Sequence, residues 1–154
     1  MEQTLVIIKP DGLQRNLIGE IISRFERKGL KIAGMKMMSI DDLKVEEHYK
    51  KYVEKPFFRH LRTFMQSSPV IVMVLEGVEA VSAVRLIAGS TKGREADAGT
   101  IRGDLAMSLQ TNLVHISDPE ENPQEEIDRF FSQDELFDYK KIDRDFVYSP
   151  DELD

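Results

Sequence analysis

A chain of 154 residues, 41% hydrophobic and 32% charged, has enough material for one buried core and the composition of an ordinary globular protein. Its formal net charge of -7 repels polyanions at long range, which argues against specific nucleic-acid binding yet leaves room for a pocket that gathers cations around a small anion. The lack of cysteine removes disulfides and thiolate nucleophiles, and no apolar run or basic leader marks a membrane span or a secretory signal, so a cytoplasmic protein is expected.

"TLVIIKPDG" reads as a buried strand over Thr4–Lys9, stopped by a Pro-Asp-Gly turn. Leu17, Ile18, Ile21, Ile22 and Phe25 then recur at helical spacing, and Gly29 is placed to cap that helix. "LKIAGMKMMSI" is a second strand with poor alternation, followed by short helical patterns over 42–51 and 56–66. The uncharged run Pro69–Leu75 is the clearest strand, and Val81, Val84, Ile87 and Ala88 form a helical face ended by Gly89. Residues 89–111 are polar and turn-rich, and "NLVHIS" is the last strand. A final helix starts with Asn122 as N-cap, Pro123 in the first position and Glu125 three residues after the cap. From about Lys140 no strong pattern remains, and this tail is expected to be an arm on the surface or on a neighbouring subunit. The order strand, helix, strand, strand, helix, strand predicts an α+β fold over residues 1–154 as one domain. It is a ferredoxin-like βαββαβ sandwich, an antiparallel sheet with helices packed on one face.

The common phosphate loops are missing: neither G-x-x-x-x-G-K-[ST] nor G-x-G-x-x-G after a strand occurs. H-E-x-x-H is absent too, and His48, His60 and His115 are too scattered to form a metal motif, so no protein metal site is expected. His48 and His60 lie in charge-rich helical patterns and read as surface or boundary residues. His115 closes an apolar run in "TNLVHISD", where a structural imidazole, a metal ligand and a reacting group all fit the local residues. Two local features weaken the purely structural reading without deciding it. Ser117 and Asp118 follow at once, and Glu126, next to Ile127 and four residues before Phe130, lies at the inward edge of the last helix. A carboxylate there can orient an imidazole and leave its other nitrogen free to attack. Lys9, Arg85 and Arg102 each suit a solvated charge, or together a phosphate chain where strand ends and loops converge. Glycines flank Arg102 in "GTIRGD", which lets the backbone bend tightly around a guanidinium. Tyr49 and Phe57 suit core packing or, for an exposed Phe57, stacking on a planar ring.

Taken in order, "TLVIIKPDGLQR", "GEIISRFERKGLKI", "EEHYKKYVEKPFF", "SSPVIVMVLEG", "GTIRGD", "NLVHISD", "EEIDRFF" and "DFVYS" resemble the nucleoside diphosphate kinases along nearly the whole chain. The acidic tail and the segment after "SD" look most like archaeal members. The resemblance implies that His115 takes the γ-phosphoryl group from a nucleoside triphosphate and passes it to a nucleoside diphosphate in a ping-pong cycle, with Nδ1 as the family's phosphorylated nitrogen. Glu126 and Ser117 match the pair that supports the imidazole. Lys9 and Asn112 match residues near the ribose 3′-hydroxyl and the transferring phosphate, and Tyr49, Arg85, Thr91 and Arg102 match the phosphate-binding set. Phe57 and Leu109 match the base clamp. Mg²⁺ carried by the nucleotide and a homo-oligomer, a hexamer above all, are further expectations of the resemblance. The alternative is a non-catalytic nucleotide-binding or scaffold protein on the same fold, which loss of His115 or of the arginines would favour. Four departures stand out: Gln110-Thr111 before Asn112 in place of Gly-Arg, Pro119 for a serine, Asn16 for a glycine, and no proline in "TKGREADAGT".

Overall fold

The run Leu5–Ile8 is fully buried at successive positions, so side chains on both faces of one strand are inside the protein. In the computed structural model, which describes residues 1–118 and 120–153, this strand, β1 (Glu2–Ile8), is at the centre of a four-stranded antiparallel sheet. β3 (Val70–Gly77) pairs on one side of it and β4 (Val114–Ile116) on the other, while β2 (Lys31–Met38) completes the order β2-β3-β1-β4. The α+β sandwich expected from the sequence is the one observed.

Helices cover both faces, which corrects the expectation of one covered face. Leu5, Ile7, Val70, Val72 and Val74 pack with α3 (Asp42–His48), α4 (Phe58–Met65) and α7 (Pro123–Phe130) through Val45, Phe58, Leu61, Met65, Ile127 and Phe130. Val6, Ile8, Ile71, Met73 and Leu75 pack on α2 (Ile18–Lys28) and α5 (Ala80–Ala88) through Ile21, Phe25, Ala80, Val84 and Ala88. β1 and β3 are apolar at both parities, so each exposes two faces that must be covered.

Local chemistry explains the ends of the elements. Gly29 takes the left-handed conformation (φ 107°) that ends α2. The Pro-Asp-Gly turn after β1 becomes a short helix, α1 (Pro10–Gln14), with Pro10 in its first turn, where no N–H is needed. Asn16 has φ 58°, a left-handed conformation that asparagine tolerates better than most side chains. The polar stretch 89–111 hides a helix, α6 (Ile101–Leu105), started by the Thr100 hydroxyl accepting from the Gly103 N–H at 2.9 Å. The tail also gains structure: α8 (Arg144–Val147) brings Val147 over Gly29, and the Tyr148 hydroxyl accepts from the Val78 N–H. Ile142 and Phe146 on the same arm remain exposed. Among the described residues no helix is long and apolar enough to cross a membrane.

Candidate active site

A cavity of about 1310 Å³ opens where the ends of β1 and α3, the start of α4, the 89–112 segment, β4 and α7 meet. It is lined by Lys9, Tyr49, Phe57, Arg85, Thr91, Arg102, Leu109, Asn112, His115 and Glu126. Residues up to 117 positions apart in the chain thus face one space.

His115 is on β4 opposite Ile7, and the last turn of α3 brings His48 against it. Its Nε2 is buried and 3.4 Å from Oε1 of Glu126. Among the described residues Nδ1 makes no hydrogen bond, and it is the nitrogen left toward the cavity. The register of β4 is set just upstream. Leu113 adopts a left-handed φ of 74°, its N–H donates to Asp11 Oδ2 at 3.0 Å, and its carbonyl accepts from the Lys9 N–H at 2.8 Å. This kink keeps Asn112 and Leu113 out of the ladder and shortens β4 relative to the expected "NLVHIS".

Lys9 enters the site as the residue after β1. Its Nζ donates to Asn112 Oδ1 at 2.8 Å and to the Gln110 carbonyl at 2.5 Å, and it lies 5.2 Å from the centre of the Phe64 ring. Burial lowers its pKa from 10.5 to about 8, against the pull of Asp11 and with help from Arg102. Asn112 is held from the other end, its amide donating to the Thr91 and Leu109 carbonyls. Gln110 and Thr111 therefore act here through the main chain: the Gln110 carbonyl anchors Lys9, and both N–H groups donate to Ser108 Oγ.

Arg102 is buried and donates through Nε to the Asn112 carbonyl and through its terminal nitrogens to the carbonyls of Gly89 and Val114. Of the five N–H groups of a guanidinium, two remain for a ligand. Burial, then the charge of Arg85, brings its pKa down to about 10. Gly103 is required beside it, since a Cβ there would collide with the Asp97 carbonyl. Arg85 is exposed and donates to the Ser117 carbonyl at 3.3 Å. The buried Tyr49 keeps its phenol proton, because burial and the charge of Glu126 raise its pKa, and its ring meets that of His115 edge-on at 5.9 Å. Phe57 and Leu109 are about half exposed, 48% and 53%, on the cavity wall, which suits a contact made only when a ligand arrives.

Ser117 and His48 are placed otherwise than their sequence context suggests. The Ser117 hydroxyl accepts from the Leu5 N–H at 3.2 Å and donates to the Leu5 carbonyl at 3.4 Å. Its bonding capacity goes to closing the β1–β4 edge just beyond the Val6–Ile116 pair, and among the described residues no bond joins it to Glu126 or His115. His48 is not a surface residue: it is 5% exposed, with its ring 4.3 Å from that of His115 and 5.1 Å from Phe130. The signal was present in the sequence, since His48 follows Val45 by three residues on the one buried stripe of α3. His60 is exposed as expected, and Pro119 lies outside the described residues.

Burial has a measurable cost in acid. His115 falls from 6.5 to about 3, through burial first and then the charges of Lys9 and Arg102, and His48 is lowered well below 6.5 by burial and by His115. As pH falls below 6.5 the unfolded chain binds protons that the folded chain refuses, so stability declines across that window. His115 alone is expected to remove about 2 kcal/mol by roughly pH 5. Urea unfolding of wild type and His115→Gln from neutral pH to roughly pH 5 checks this: the variant should lose less stability over that range.

A sequence model described as nucleoside diphosphate kinase matches residues 2–136. The nucleoside diphosphate kinase of Parabacteroides distasonis is 52% identical over 153 residues, covering 99% of this chain and 100% of that one. That of Archaeoglobus fulgidus is 48% identical over 148 residues, with 96% and 98% covered. The structure of a halophilic nucleoside diphosphate kinase from Halobacterium salinarum in complex with CDP superposes with a TM-score of 0.94 at 46% identity, covering 96% of this chain and 99% of that one.

Proposed function

The chain belongs to the nucleoside diphosphate kinase family and transfers phosphoryl groups between nucleotides, and from this premise we propose that His115 Nδ1 is the phosphate carrier. The observation that supports it best is the division of the ring: Nε2 is buried against Glu126 while Nδ1 is left to the cavity.

With the neutral ring's proton on Nε2, the Nδ1 lone pair attacks the γ-phosphorus. The P–O bond to the β-phosphate breaks, and the nucleoside diphosphate leaves with that electron pair. The ring becomes cationic as the N–P bond forms, and Glu126 beside Nε2 stabilises it, a contact that is loose at 3.4 Å and tightens as charge develops. A β-phosphate oxygen of a second diphosphate then attacks phosphorus and restores the imidazole. The depressed pKa of His115 keeps the nucleophile neutral at working pH.

Lys9 and the two free N–H groups of Arg102, with Arg85, meet the phosphate oxygens, and Tyr49 donates a proton rather than repelling as a phenolate. Thr91 contributes from the cavity wall, and Asn112 holds Lys9 in place while facing the ribose side. Phe57 and Leu109 clamp the base by stacking and apolar contact, which tolerates every nucleobase because neither side chain reads its polar edge. Lys9, Arg85 and Arg102 bring positive charge to the phosphates, and a Mg²⁺ entering on the nucleotide would, when bound, neutralise charge on the other phosphates. Residues 1–154 act as one domain in this reading, and we read the assembly as a homo-oligomer, a hexamer, with the exposed Ile142, Phe146, Met35 and Met37 available for subunit contacts.

The test is single-turnover labelling. Incubation with γ-labelled ATP and Mg²⁺ should give an acid-labile, alkali-stable phosphoenzyme at one label per chain, discharged by added diphosphates of any base. ADP binding without any label would overturn the reading in favour of a non-catalytic nucleotide-binding protein.

A further inference from the structure

His115 has a second, buried side, where Nε2 meets Glu126 and the ring meets His48 rather than the phosphate. Its Nε2, both nitrogens of His48 and Oε2 of Glu126 are buried without a hydrogen-bond partner. One ligand atom from each of these three residues lies within 4.8 Å of the others. Buried polar atoms without partners are costly, and His48, His115 and Glu126 bring such atoms into one neighbourhood.

We propose that His48, His115 Nε2 and Glu126 form an inhibitory site for a tetrahedral transition-metal ion of the Zn²⁺ class. The 3.4 Å between Nε2 and Glu126 Oε1 matches the edge of a tetrahedron with ligand bonds of about 2.0–2.1 Å. The His48 ring, packed edge-to-face on that of His115, makes no hydrogen bond among the described residues that would oppose a reorientation of its ligand atom, already within 4.8 Å of the other two, toward the same point. Two imidazoles and one carboxylate select a borderline ion over Mg²⁺, which prefers oxygen ligands and keeps its water, so the nucleotide's own cation does not compete. The fourth position is open to water or to Glu121, whose carboxyl lies beside Glu126. Lys9 and Arg102 oppose a cation here, which points to micromolar rather than nanomolar affinity.

The consequence rests on the proposed role of Nδ1. Coordination takes the Nε2 lone pair, so the ring's proton moves to Nδ1 and caps the nitrogen that attacks phosphorus. The ion inhibits without touching the nucleotide.

Co²⁺ titrated into the nucleotide-free protein reads the site directly, and with no cysteine in the chain the background is low. An intense tetrahedral visible band saturating at one Co²⁺ per chain is expected, displaced by Zn²⁺. One equivalent of Zn²⁺ should slow first-turnover labelling at least tenfold. His48→Gln should raise the metal midpoint at least tenfold, Glu126→Gln likewise, while His60→Gln should leave it unchanged. A weak octahedral band, or a midpoint that His48→Gln does not move, overturns the proposal. Failure of the metal-free protein to label would instead overturn the role of His115 and leave the cobalt spectrum to report on the site.

Discussion

His115→Ala is expected to lose phosphoenzyme formation entirely and to lower nucleotide exchange by at least about 10⁴-fold, since no other group takes over the nucleophile's role. Lys9 is cationic, Tyr49 keeps its proton, and the buried His48 is packed against the His115 ring, so none supplies a lone pair at the position of Nδ1. Binding should survive, because Phe57, Leu109, Arg85 and Arg102 are held by other elements: Arg102 by three backbone carbonyls and Phe57 at the start of α4. An ADP affinity within a few-fold of wild type, measured calorimetrically beside the lost label, separates loss of chemistry from loss of fold. Full labelling of the variant would move the phosphate to another residue and sink the assignment.

Lys9→Met is expected to lower turnover by about 10²–10³-fold, the usual cost of removing one preorganised charge from a transferring group. The same change should not destabilise the protein at neutral pH. Folding depresses the Lys9 pKa from 10.5 to about 8, so the folded state disfavours the charged form. The cost is fully present below about pH 8, amounts to about 3 kcal/mol, and disappears as pH rises through 10.5. Methionine fills the same volume without that cost, though it leaves the Asn112 and Gln110 acceptors unpaired, so a midpoint of thermal unfolding equal to or above that of wild type is predicted near pH 7. In wild type, kcat/KM should decline above about pH 8 as free-enzyme Lys9 loses its proton, and Lys9→Met should lack that limb. An unchanged alkaline limb in the variant would assign the titration elsewhere. A lysine kept at a stability cost is the mark of a residue retained for what it does to a ligand.

Much of the fold was legible because it rests on local pattern. The buried run of β1, the 3.6-residue spacing before Gly29 and the Asn122-Pro123 start of α7 each state their structure within ten residues. α6 was not legible, because its glycines and polar residues read as turn while its helix depends on a single Thr100 cap and on packing of Ile101. The second covered face was missed for a related reason: apolarity at both parities in β1 says that two faces are buried but not which helices bury them.

The sequence by itself determined the order of strands and helices, the residue types able to handle a phosphate, and, through its ordered motifs, the family. Those properties lie in composition, spacing and identity, which the chain carries before it folds. Only the tertiary structure decided which nitrogen of His115 faces the cavity, that His48 backs it, that the Ser117 hydroxyl serves the backbone of Leu5, and that Gln110 holds Lys9 through a carbonyl. The last three join residues from about 65 to more than 110 positions apart, set by the pairing of Ile7 with His115 and by the left-handed turn at Leu113. Strand register and helix placement fix such contacts, and neither is written in any local stretch of residues.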